Sequence, residues 1–198
     1  TDSTSKIILK IKNNFKFPIN VHKSKKNLGY GGVQKFAFNY AIKKKFDFAI
    51  MLHGDGQYRP ESLPQIIKAY KDEKNDAVFG SRMMSYKSAL KGGMPFYKFL
   101  GNIFLTFFQN LILGSNISEF HSGYRSYKVS KLKKINFKQK SNYYHFDTEM
   151  VIEFLNKKFK ILEISQPTFY GNEESHLKSI PYGINVLWVT FKSKFDKK

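Results

Sequence analysis

Phe46-Asp47-Phe48-Ala49-Ile50-Met51-Leu52-His53-Gly54-Asp55-Gly56-Gln57 is the stretch that decides the fold. Its first seven residues form a short run, apolar apart from Asp47. That length and composition predict a strand buried in a parallel sheet. The run stops at a polar, glycine-bearing cluster, His53 to Gln57. Upstream, Asn27-Leu28-Gly29-Tyr30-Gly31-Gly32 reads as a glycine-rich turn, and residues 33–45 as a helix with Phe36, Tyr40 and Ala41 on one side. Further upstream, Ile19-Asn20-Val21-His22 alternates like a short strand. Downstream, Pro60 and Glu61 suit the first turn of a helix that Leu63 continues to Tyr70. Ala77-Val78-Phe79 is a further strand, ending at Gly80-Ser81-Arg82. Strands alternating with helices predict an α/β fold, a mixed but mainly parallel sheet flanked by helices. Ligands of such sheets bind beyond the carboxyl ends of the strands. His53 to Gln57 and Ser81-Arg82 both stand at such ends.

The flanks add elements around this centre. Ile7, Ile8 and Ile11 have helical spacing, with Ser3 or Thr4 as the expected cap. Residues 94–113 form a long, Phe-rich helical stretch, interrupted by Lys98, Asn102, Gln109 and Asn110. It therefore lacks the run of about 18 apolar residues that a spanning helix needs. Residues 120–127 read as strand or loop with a bend at Gly123. Residues 146–155 are helical, with Phe146, Met150 and Phe154 on one face and Val151 and Leu155 beside it. Ile161, Ile164 and Pro167 mark a strand leading into Tyr170-Gly171, residues 184–191 are apolar, and 192–198 form a basic tail.

Composition narrows the function. At 198 residues the chain is long enough for one domain. A hydrophobic fraction of 41% excludes a disordered chain. The absence of cysteine excludes disulfide scaffolds and Cys-ligated zinc or iron–sulfur sites, and fits a reducing compartment. The net charge of +19 leaves nucleic acid, an anionic membrane and phosphorylated substrates all open. A basic nucleic-acid-binding module would suit that charge and the 17% aromatics. The lysines are scattered, however, and no RNA-recognition, KH or zinc-finger signature is present, so no nucleic-acid partner is expected. The five histidines show no i, i+4 pairing, and no Gly-x-Ser-x-Gly elbow occurs.

Three places carry residues fit for chemistry. Asp55 and Gln57, two apart, would point to one side of an extended backbone and offer oxygens to Mg²⁺ or Mn²⁺. Asp55-Gly56 is equally good turn chemistry. Arg82 could reach a phosphate bidentately, or lie on the surface. The glycine-rich turn at Asn27 to Gly32 could approach a phosphate or a base through backbone N–H groups, but lacks the Gly-Lys-Ser/Thr of a Walker loop.

Taken in order, these segments resemble the family-2 glycosyltransferases of the GT-A (Rossmann-like) fold. The likeness is greatest to the branch with dolichol-phosphate mannose synthases and bacterial polyprenyl-phosphate glycosyltransferases. Asn27 to Gly31 resembles that family's Asn-x-Gly-Lys-Gly turn, and Asp55-Gly56-Gln57-Tyr58-Arg59-Pro60-Glu61 its Asp-x-Gln-x-x-Pro-Glu segment. Phe79-Gly80-Ser81-Arg82 resembles its Gly-Ser-Arg strand end, and Ser122-Gly123-Tyr124-Arg125 its Ser-Gly-Phe-Arg segment. Phe146-Asp147-Thr148-Glu149 and Glu163-Ile164 match the later helix and strand. The resemblance implies an inverting transfer of a sugar from a nucleotide-sugar donor to a polyprenyl-phosphate or glycan acceptor in cell-envelope or polysaccharide biosynthesis. It implies that Asp55 and Gln57 hold Mg²⁺ or Mn²⁺ on the donor diphosphate. It sets Arg82 and Arg125 near phosphates, Asn27 and Gly29 at the donor, and Glu149, ahead of Asp147, near the acceptor. His53 stands where the family has the first acid of Asp-x-Asp. Imidazole binds Mn²⁺ but is a poor Mg²⁺ ligand, so His53 is assigned to the nucleotide. Glu119 replaces the family's Asp before Ser-Gly-Phe-Arg.

The resemblance further implies that residues 1–198 are one catalytic domain whose first strand precedes Thr1, because Thr1-Asp2-Ser3-Thr4 resembles the end of the family's Asp-Gly-Ser-Thr-Asp-x-Thr segment. Residues 94–114 would be helices against an anionic membrane surface, at its cytoplasmic, inner face. A nucleotidyltransferase of similar fold is the rival enzyme, and it needs a glycine-rich Arg/Lys signature on a first strand.

Overall fold

The computed structural model describes residues 3–71, 74–167, 169–170 and 177–195. The central sheet has four strands, β1 (Phe48–Ile50), β2 (Ala77–Ser81), β3 (Arg125–Lys128) and β4 (Ile161–Ser165), in the order β1-β3-β2-β4. β2 pairs with β4 in parallel, Ala77 opposite Ile161. β3 runs against both neighbours, with Phe48 opposite Lys128 and Phe79 opposite Arg125. Three of four strands therefore point one way, as expected, but two of the three ladders are antiparallel. The reason is that β3 enters between β1 and β2 from the opposite end. β2, paired on both sides, is buried throughout, while β1 is half-buried at the edge rather than a fully enclosed strand.

Alternation along β2 separates two cores. Phe79 and Tyr127 face one side, where α2 (Tyr30–Lys43) brings Phe38 and Ala41 and α7 (Phe146–Asn156) brings Phe146, Met150, Val151 and Phe154. Val78 faces the other side and meets Tyr58, Tyr124, Ile164 and, from α3 (Leu63–Ala69), Ile66. The apolar face expected of α7 is the observed one. Of the expected α2 face only Ala41 is buried: Gly31, Gln34, Phe38 and Ala41 point inward, and Phe36 lies outside, stacked on His22 with centroids 3.9 Å apart. Residues 19–22 form no strand; without a ladder partner among the described residues their alternation has no pairing to lock it. α1 (Thr4–Asn14) forms as expected, yet Ser3 at its start makes no side-chain cap and none of its residues is buried.

Two helices depart from ordinary amphipathicity. In α5 (Phe96–Leu113) the buried positions are Phe99, Asn102, Thr106 and Gln109, while Phe96, Leu100, Phe104, Phe107 and Leu111 are exposed. In α8 (Ser179–Phe195) Val186, Thr190 and Ser193 are buried, and Ile180, Ile184, Trp188, Phe191 and Phe195 are exposed. α5 and α8 pack on one another, with Gln109 Nε2 donating to Thr190 Oγ1 at 3.4 Å. Apart from Phe99 and Val186, the buried positions named are polar, and most of the rings lie outside. Lys192 and Lys194 close α8 rather than starting a tail, and 196–198 lie outside the described residues. No helix among the described residues is long and apolar enough to cross a membrane.

Among the described glycines the least room for a side chain is at Gly31, where a Cβ would stand 2.8 Å from that of Phe146 and would also meet the Ser141 carbonyl. Gly101, in α5, has open space around it. Gly31→Ala is expected to lower stability by about 1–3 kcal/mol. Gly101→Ala is expected to raise it by about 0.5–1 kcal/mol through helix propensity. Chemical denaturation of the two variants checks the contrast.

Candidate active site

A cavity of about 610 Å³ opens at the carboxyl ends of β1 and β2. The turn after β1 brings His53, Asp55, Gln57 and Tyr58; Arg82 directly follows β2; Asp147 lies in the first turn of α7; α2 starts with Tyr30. The segment before β3 adds His121 and Gly123. The far wall belongs to α5, through Tyr97, Lys98, Asn102 and Leu105, and to Leu177 and the first turns of α8, through Ser179 and Tyr182.

The expected pair Asp55 and Gln57 does share the cavity, but not because the backbone is extended. The strand ends at Ile50, and Gly56 adopts φ +73° in a tight turn. Asp55 Oδ1 accepts the Gln57 backbone N–H at 3.0 Å, which closes the turn. Asp55 Oδ2 lies 4.0 Å from His53 Nδ1. The His53 ring is wedged beside Gly123, where a Cβ would come within 2.7 Å of it. Asp55 and Gln57 offer oxygen donors on one turn, with imidazole beside them. One carboxylate is too little for a closed metal cage, and no group of three His, Asp or Glu residues among the described ones could form one. It does fit an ion whose other ligands are substrate phosphates and water.

Arg82 lines the cavity from an enclosed position. Its Nε donates to Glu119 Oε1 at 2.7 Å, Nη2 donates to the same carboxylate and to the His121 carbonyl, and Nη1 donates to the Tyr170 hydroxyl at 2.6 Å. Glu119 also accepts the Arg82 backbone N–H at 2.6 Å and Asn102 Nδ2 at 2.7 Å. Burial disfavours both charges, yet each partner outweighs that cost for the other. The Glu119 carboxyl is held below its usual range and the Arg82 guanidinium well above its own.

Other expected site residues stand behind the cavity rather than on it. Arg125 is buried: its Nε donates to the Ser122 carbonyl at 2.8 Å, and its guanidinium lies over the Phe79 ring at 4.6 Å. It reaches the site only through Asp147, whose Oδ2 is 3.8 Å from Arg125 Nε. Glu149 is turned away, accepting the Ser141 backbone N–H at 2.7 Å. Asp147, weighed second to it, is the carboxylate on the cavity wall. Its Oδ2 accepts the Tyr30 hydroxyl at 2.7 Å and its Oδ1 accepts Gln34 Nε2 at 3.0 Å. Burial, and then Asp147 beside it, push the Tyr30 phenol well above its ordinary value. Asn27 and Gly29 form the turn that starts α2: Asn27 Oδ1 accepts the Gly29 N–H at 2.8 Å. A Cβ on Gly29 would lie 2.6 Å from the Asn142 carbonyl, so the turn packs on the segment before α7 and leaves Tyr30 to enter the cavity. The expected donor set missed Tyr30, Tyr58, Asn102, His121 and Tyr182. Tyr30 and Tyr58 lie inside quoted motifs and His121 stands directly before one, whereas Asn102 and Tyr182 carry no local signal.

Residues 1–136 match the model of the glycosyl transferase family 2. An uncharacterised protein of Methanocaldococcus jannaschii is 32% identical over 73% of this chain. A UDP-N-acetylglucosamine–dolichyl-phosphate N-acetylglucosaminyltransferase of Methanococcus voltae is 28% identical over 75% of it. An undecaprenyl-phosphate mannosyltransferase of Micrococcus luteus is 24% identical over 73%. The chain spans 58% of the length of each of these three relatives. With an open mixed sheet, flanking helices and a cavity at the strand ends, the chain belongs to glycosyltransferase family 2.

The buried Arg82–Glu119 pair has a consequence for stability. Glu119→Gln leaves a buried guanidinium without its counter-charge and is expected to cost about 3–5 kcal/mol at neutral pH. Because the folded pKa of Glu119 is depressed, its contribution is complete above the unfolded value of about 4.3 and is lost as pH falls through the folded value. Melting curves between neutral and acid pH should therefore converge for the two proteins as pH drops.

Proposed function

We propose that this chain is the catalytic part of a glycosyltransferase that moves a sugar from a nucleotide-sugar donor to a polyprenyl phosphate, by one inverting displacement at the anomeric carbon. The observation that carries the reading is the state of the carboxylates on the cavity. Asp147 already accepts hydrogen bonds at both oxygens, and Asp55, with one oxygen closing its own turn, has the other assigned to the metal ion. A sugar hydroxyl as acceptor needs a free base to take its proton. A lipid phosphate is ionised beforehand and needs none. The acceptors named for the relatives from Methanococcus voltae and Micrococcus luteus, dolichyl phosphate and undecaprenyl phosphate, support the same choice.

Asp55 and Gln57 would hold Mg²⁺ or Mn²⁺ against the donor diphosphate, and His53 beside Asp55 favours Mn²⁺ or a contact with the nucleotide. Such an ion, when bound, supplies Lewis-acid stabilisation of the departing nucleoside diphosphate. Arg82 and Lys98, both in contact with Tyr170, bring positive charge to the phosphates from one side of the cavity. Arg125 and Glu149 act as positioning residues: one stands behind Asp147, and the other fastens residue 141 ahead of α7. Asn27 and Gly29 set the start of α2 and so the reach of Tyr30.

The exposed rings of α5 and α8 suit an acceptor that lives in a bilayer, because both helices also form the far wall of the cavity. A charge of +19 adds attraction to anionic headgroups, about 1 kcal/mol for each lysine near the surface. The lack of cysteine and the use of nucleotide sugars agree with the cytoplasmic face of the membrane.

Two measurements test this. Thermal melting of the full-length protein with UDP-, GDP- and dTDP-sugars is expected to show stabilisation that requires Mn²⁺. Ligand at about 100 times its Kd contributes about 2.7 kcal/mol, and Asp55→Ala should abolish the Mn²⁺-dependent part; an equal shift in that variant overturns the metal assignment. Sedimentation with anionic vesicles is the second. Phe104 is 55% and Trp188 64% exposed, so Phe104→Glu combined with Trp188→Glu should leave melting unchanged. The same pair should weaken vesicle binding at least tenfold, since each buried ring contributes about 1.5–3 kcal/mol.

A further inference from the structure

His121 is the one cavity-lining residue that carries a shielded side-chain polar atom with no partner among the described residues: its Nε2. The ring is fixed in place. Its Nδ1 is 2.9 Å from the Tyr182 hydroxyl, the two rings meet edge to face with centroids 5.6 Å apart, and its carbonyl accepts Arg82 Nη2 at 3.0 Å. Burial pushes its pKa down to about 3 against the pull of Glu119, and the charges of Arg82 and Arg125 lower it further, so the ring stays neutral at any working pH. A shielded polar atom without a partner costs more than the bond it could make, and structures seldom leave one unused.

We propose that His121 reads a hydroxyl of the transferred sugar through Nε2, a role that rests on the nucleotide-sugar reading above. The tautomer decides whether Nε2 donates or accepts: if Tyr182 donates to Nδ1, Nε2 carries the proton, and if Nδ1 donates, Nε2 holds the lone pair. A hydroxyl is the substrate group that satisfies either case. A phosphate oxygen only accepts, and this cavity already presents guanidinium and ammonium to it in Arg82 and Lys98. Tyr182 extends the arrangement. It lies in the first turn of α8, so the helix with the exposed rings also sets the orientation of the imidazole.

The test uses the full-length protein, polyprenyl phosphate in detergent, and UDP- and GDP-hexoses with their analogues lacking one ring hydroxyl each. Removal of the hydroxyl that meets His121 should lower kcat/KM about three- to tenfold in the unaltered protein, the worth of one neutral hydrogen bond. In His121→Phe that penalty should vanish for this analogue alone, while KM for polyprenyl phosphate stays unchanged. His121→Gln, which keeps a donor and an acceptor, should recover part of the discrimination, and melting curves report whether each variant folds. A loss shared by every analogue, or one confined to KM for polyprenyl phosphate, overturns the role of His121 and leaves the glycosyltransferase reading standing. Failure of the unaltered protein either to bind, by calorimetry, or to transfer any of these sugars overturns both.

Discussion

Arg82 carries its charge into the protein, and Glu119 holds it there. The guanidinium leaves the end of β2, and the carboxylate comes from the segment before β3. Asn102 of α5 donates to that same carboxylate, while Tyr170, after β4, accepts from Arg82. Four parts of the chain thus converge on a single ion pair. In a low-dielectric setting such a pair is retained only when every remaining donor and lone pair has a partner, and here the surrounding amide, phenol and backbone groups supply them. The geometry of the cavity follows, because Arg82, His121, Asn102 and Tyr170 cannot shift separately.

A second network, around Asp147, does for the near wall what Glu119 does for the far one. Tyr30 and Gln34 come from α2, Asp147 from α7 and Arg125 from β3. Between the two networks the cavity is bounded mostly by groups whose hydrogen bonds are already assigned. The exceptions are Nε2 of His121 and the pair Asp55 and Gln57, on a turn that closes on itself and leaves their outward oxygens to the cavity.

Much of this was legible in the sequence. The apolar run ending at His53 and the strand ending at Arg82 locate the cavity correctly, because a buried strand and its polar terminus are both local patterns. The order of short motifs identifies the family for the same reason. What escaped was not local. Alternation in 120–127 carries no direction, so β3 could not be seen to oppose its neighbours. Arg125 sits in a readable motif, but only the register that pairs it with Phe79 shows it sealed in the core. The choice between Asp147 and Glu149 depends on which face α7 turns to α2, and two residues along a helix is enough to reverse the answer. Helical spacing in α2 likewise yields two stripes, and Phe38, not Phe36, is the one that packs.

The inverted build of α5 and α8 separates two kinds of sequence requirement that most helices combine. Their inward positions are matched one to one: Asn102 reaches Glu119, Thr106 donates to Asn102, Gln109 reaches Thr190, and few other side chains would fit. Their outward positions touch little, so size and branching there are almost free as long as polarity stays low. These helices should accept drift at Phe104, Phe107 or Ile184 that any globular core would reject, while tolerating almost none at the small polar residues beneath. Variation in this protein is thus expected to be greatest where it is most hydrophobic, the reverse of the usual rule for a folded domain.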